Sequence, residues 1–95
     1  MFDRTFFERQ FSDQVQLFCR EQKIAAPVVE LLLDDGSVLR LQAIAQIREN
    51  WLALKARLGD AESRMILCPY FSIRRITFSR PSSEKETVFS FPPKP

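Results

Sequence analysis

The chain has 95 residues, enough for one modest core and too few for two, and its hydrophobic (45%) and charged (27%) shares are those of a folded domain rather than a disordered segment. Its net charge of +2 supports binding to polyanions only where basic side chains gather on one surface. The absence of histidine excludes imidazole zinc sites and histidine triads, and Cys19 and Cys68 have neither CxxC spacing nor a base beside them, so catalysis, metals and cofactors are not expected.

The first predicted element is a helix over about residues 6–24. Phe7, Phe11, Val15 and Phe18 recur at steps of four, four and three, which lines them up on one core-facing stripe. Thr5 followed by Glu8 has capping-box spacing and starts the helix at Phe6; Ser12-Asp13 offers a second, later start. Pro27 ends it, because the residue before a proline avoids helical backbone angles.

From Pro27 the hydrophobic period changes to two. "VVELLL" reads as a strand and "DDG" as a turn, with Gly36 free to take a positive φ. "SVLRLQAIAQI" then alternates, with Leu39, Leu41, Ala43, Ala45 and Ile47 on one face and Arg40, Gln42 and Gln46 on the wet one. "REN" turns the chain into "WLALKA", and Gly59-Asp60 tips a second loop before "RMILC". Pro69 interrupts the ladder, and "SIRRITF" resumes it. The tail, residues 82–95, is polar and then proline-rich, and reads as a loosely ordered extension that lays Phe89 and Phe91 on the body. The domain is therefore expected at residues 1–81, mainly β with an N-terminal helix. About five short strands must curl into a small open barrel to bury both the sheet face and the helix. No apolar run approaches the ~20 residues that span a bilayer, and the N-terminus lacks the pattern of a secretory signal, so a cytoplasmic protein with two free thiols is expected.

With these elements in order, the chain from "SDQVQLFCREQK" to "CPYFSIRRITFSRP", roughly residues 12 to 81, resembles the bacterial Hfq branch of the Sm-like (LSm) family. The shared features are an acidic residue near the helix start, a basic helix end, Asp35-Gly36 after the first strand, the Asn50-Trp51 pair opening a hydrophobic strand, and a closing "SIRRI" strand with proline beyond. The resemblance implies an SH3-like five-stranded barrel. Edge strands of neighbouring subunits would pair to form a homo-hexameric or homo-heptameric ring, which binds single-stranded RNA without a cofactor and acts as an RNA chaperone.

The sequence departs from that family where bases are read. Tyr70 and Phe71 stand where the family has a lysine and a histidine lining the pore and holding uridine. Stacking is the chemistry left to them, worth roughly 1–3 kcal/mol per base; the other reading makes them barrel filler and subunit contacts. The purine-stacking aromatic of the opposite ring face falls near Leu32, and the interior glycine of the second strand is missing around Leu41 to Ala43. The family's basic rim corresponds to Arg20 and Lys23, which lie three apart and are expected to share a helix face for phosphate contact. Arg74 and Arg75, adjacent in a strand, are expected to point to opposite faces, with Arg74 the better placed for RNA. Arg40 and Gln42 on the wet strand face are either hydrogen-bond donors to RNA or simply solvated. The rival functional reading is a small-barrel protein–protein interaction module that has lost RNA binding.

Overall fold

The computed structural model describes residues 2–83 and 85–91. A π-helical stretch, Phe6–Gln10, runs without a break into the α-helix α1, Phe11–Gln22. Five strands follow: β1 (Val28–Leu33), β2 (Val38–Ile47), β3 (Trp51–Leu58), β4 (Arg64–Pro69) and β5 (Ile73–Ser79), with a 3₁₀ turn at Tyr70–Ser72 between the last two. They form one antiparallel sheet in the order β4-β3-β2-β1-β5, an Sm-like topology in which β4 and β5 are the outermost strands.

The helix starts differently from the sequence expectation. Thr5 already has helical angles (φ −61°, ψ −41°) and makes no side-chain cap, whereas a capping residue needs an extended backbone. Glu8 is taken by Arg4, one turn earlier, whose Nε donates to it at 2.9 Å. Asp3 caps instead, its Oδ1 accepting the Phe6 N–H at 2.8 Å. The later start at Ser12-Asp13 is not used, because the helix is continuous there. The stripe is as expected for Phe7, Phe11 and Val15, all buried, while Phe18 is half-buried against Phe78 at 5.8 Å between ring centroids.

The helix ends at Gln22, two residues short of the expected limit. Lys23 takes left-handed angles (φ 56°, ψ 48°), its N–H reaches the Arg20 carbonyl, and the Ile24 N–H reaches that of Cys19 at 3.0 Å. This is a Schellman ending in which a lysine occupies the position glycine usually fills. Arg80 satisfies a further free carbonyl, its Nη1 donating to the Gln22 oxygen at 2.7 Å.

Strand β2 departs from simple alternation. Against β3 its register slips between Leu41 and Ala43 and again between Ile44 and Gln46, so Gln42 and Ala45 are extra residues. Each bulge resets the period and bends the strand. Leu39, Leu41 and Ile47 face the core as expected, but Ile44 joins them there, while Ala45 is exposed. The β1–β2 turn follows its sequence: Gly36 has φ 88°, and the Asp35 Oδ1 accepts from both the N–H and the hydroxyl of Ser37, at 2.9 and 2.6 Å.

The core combines Phe7, Phe11 and Val15 with Val29, Leu31, Leu39, Leu41, Leu52 and Leu54. It also contains Phe89, only 3% exposed, which meets Phe11 edge-on at 5.3 Å. The Phe89 N–H donates to the Pro27 carbonyl and the Ser90 N–H to that of Gln42, both at 2.9 Å. The second bond falls on the bulge residue of β2, so the C-terminal segment supplies a partner at the point where the β1–β2 ladder stops.

Candidate nucleic-acid interface

Tyr70 and Phe71 part company in the 3₁₀ turn. Tyr70 is buried, its ring stacked at 25° and 5.8 Å from Phe7. Its hydroxyl donates to the Arg48 carbonyl at 2.6 Å, and its N–H to that of Asn50 at 3.3 Å. Burial pushes the phenol above its usual value. Tyr70 thus fastens the β2–β3 turn to the β4–β5 turn, and the expectation that it stacks on a base fails because its ring is covered by the core. Phe71, 69% exposed, keeps a free face.

The arginines of β5 also differ from expectation. Opposite β1, Leu33 pairs with Ile73 but Leu32 pairs with Arg75, leaving Arg74 as an extra residue. Ile73 is buried and Ile76 packs on the core, although three residues apart in a regular strand they would face opposite ways. The bulge absorbs the difference, and both Arg74 and Arg75 are exposed. They border one hollow of about 290 Å³ with Leu32, Leu33, Asp34 and Gly36, so they share a surface rather than dividing between two faces. Leu32 contributes an aliphatic wall.

Arg20 and Lys23 are both exposed at the end of α1. Because Lys23 has left the helix through the left-handed turn, the two do not share a helical face in the expected way. Arg80, bound to the last turn, adds a third cation at this end of the molecule; only the structure brings it there, since it is 58 positions from Gln22 in sequence.

The wet strand face is already occupied. Arg40 pairs with Glu30 at 3.1 Å and with Glu86 of the C-terminal segment at 3.4 Å. Directly opposite it across the ladder stands Arg57, which donates to the Ala61 carbonyl at 3.0 Å and the Thr87 hydroxyl at 3.1 Å. The side-chain carbonyl of Gln42 accepts from the Ser63 hydroxyl at 2.6 Å. These groups satisfy one another, which leaves Arg40 and Gln42 engaged within the chain.

Cys68 is buried and Cys19 half-buried; both are free thiols that burial pushes above their usual value. Among the described residues no cluster of three or more acidic or cysteine side chains is arranged to hold a metal ion, and no helix is long and apolar enough to cross a membrane. No protein-family model, curated protein or solved structure matches the chain.

Proposed function

We propose that this protein is a ring-forming Sm-like subunit, its five strands closed into a small open barrel, that binds single-stranded RNA. The observation that carries the reading is the character of its outermost strands. Met65 and Leu67 on β4 are 61% and 62% exposed. A sheet edge bearing large apolar side chains presents unpaired N–H and C=O groups beside a dry surface, which invites another strand. With β4 at one end of the sheet and β5 at the other, pairing β4 of one copy with β5 of the next is a heterologous contact that closes into a hexamer or heptamer when the rotation permits.

RNA binding rests on Phe71 as a free stacking face, on Arg74 three residues further along the chain, and on Arg20 and Lys23 at the helix end. Repetition around a ring raises the avidity of sites that are individually weak. Fluorescence-anisotropy titration with oligo-U and oligo-A at two salt concentrations tests this reading. Saturable binding that weakens as salt rises is the expected result, and no binding at low salt would exclude it.

The second reading, a protein-interaction module of the same architecture, is favoured by the burial of Tyr70 and the internal pairing of Arg40. Both remove groups that RNA would need. Under that reading, partners co-purify and survive nuclease treatment while the oligonucleotides fail to bind.

A further inference from the structure

We infer that the bulge at Arg74–Arg75 is a phosphate-binding site for the backbone of a single-stranded nucleic acid, a placement that rests on the RNA-binding reading for its ligand but on the strand register for its geometry. Regular pleating would have separated these two side chains. The extra residue opposite Leu32 and Leu33 turns both outward, onto the rim of the same hollow.

Three features make this hollow a receptor rather than two solvated arginines. Its walls are held: the Asp34 N–H donates to the Ser72 carbonyl at 2.8 Å, tying the β1–β2 turn to the start of β5. Its mouth is open at Gly36, which has no side chain and a φ of 88°. Its cations are uncommitted: among the described residues neither Arg74 nor Arg75 has a carboxylate within 4.0 Å, whereas Arg4 and Arg40 each have two. Two guanidinium groups brought to one rim repel each other until an anion lies between them, and their planar forks match phosphate oxygens in pairs.

Asp34 also lines the hollow and opposes an anion there. Its neighbour Asp35 is committed to Ser37, so Asp34 is the carboxylate that sets the net charge of the rim. The assignment therefore predicts opposite effects from the two kinds of residue. Removing an arginine weakens binding, and neutralising Asp34 strengthens it.

The test uses the full chain, fluorescein-labelled oligo-U and sodium tripolyphosphate as a base-free probe. Arg74→Ala and Arg75→Ala should each weaken binding of both probes roughly fivefold or more, and reduce the salt slope for oligo-U by roughly 0.7. Asp34→Asn should tighten both, and circular dichroism should be unchanged because all three side chains are exposed. Oligo-U binding that is indifferent to Arg74 and Arg75 overturns this site while leaving the RNA reading intact. Arginine-dependent binding of tripolyphosphate without oligo-U binding retains the phosphate site and removes the RNA reading. Failure to bind either probe removes both. An oligo-glutamate peptide that competes as well as tripolyphosphate would overturn the assignment to phosphate.

Discussion

The Tyr70 hydroxyl donates a 2.6 Å hydrogen bond to the backbone carbonyl of Arg48, joining two turns that are 22 residues apart in the chain. The bond is partly buried and Arg48 itself is exposed, so losing it costs about 0.5–1.5 kcal/mol, the net worth of an ordinary hydrogen bond. Tyr70→Phe keeps the ring against Phe7 and removes only this bond. It should lower the thermal midpoint by roughly 4–8 °C per kcal/mol lost, as expected for a domain of this size, while leaving oligo-U affinity unchanged. Loss of RNA binding with an unchanged midpoint would reassign Tyr70 to the interface.

Phe89 ties the C-terminal segment into the core. Phe89→Ala should cost about 3–5 kcal/mol, because the cavity would open beside Phe11 and α1. Urea unfolding followed by tryptophan fluorescence measures this through Trp51. A midpoint equal to that of the parent protein would mean that the segment is peripheral.

Lys23 carries a strain that glycine would relieve. A left-handed residue with a side chain costs roughly 1 kcal/mol, so Lys23→Gly should stabilise the protein by about 0.5–1 kcal/mol in the same unfolding assay. It should also weaken RNA binding slightly by removing one rim charge, so stability and affinity change in opposite directions.

Two carboxylates, Asp35 and Glu86, contribute to the response to acid. Hydrogen bonds from Ser82 hold Glu86 below its ordinary value of 4.5, with Arg40 helping, and those from Ser37 hold Asp35 below 3.8. Because both values are depressed in the folded chain, their stabilising contributions are complete above the ordinary values and disappear as pH falls through the lowered ones. Thermal midpoints should therefore drop below about pH 4.5. The double variant Asp35→Asn, Glu86→Gln should flatten that acid limb and leave the slope above pH 6 unaltered. An acid limb as steep as the parent's would locate the titration elsewhere.

The helix stripe, the turn at Gly36 and the order of one helix and five strands were legible in the sequence, because each depends on local periodicity or on a residue with special backbone freedom. The bulges were not. Gln42, Ala45 and Arg74 carry no local mark of being extra residues, since a bulge is defined by the count on the partner strand. For that reason simple alternation misplaces Ile44 and Ala45 of β2 and the arginine pair of β5, although it places Gln46 and Ile47 correctly. Tyr70 was ambiguous for a different reason: an aromatic ring is equally suited to stacking on a base and to filling a core, and only the neighbouring Phe7 decides which. Phe89 is expected on the body from the short alternation in the tail, but its depth in the core is not legible, because its partners, Phe11 and Pro27, are distant in sequence.

Self-association through the sheet edges is the claim on which the functional reading stands. Light scattering on the purified protein, with a subunit mass of 11.1 kDa, tests it directly. The expected result is the mass of a hexamer or heptamer, falling to that of a single subunit when Leu67 on β4 is replaced by lysine. A parent protein that runs as one subunit at all concentrations would contradict it.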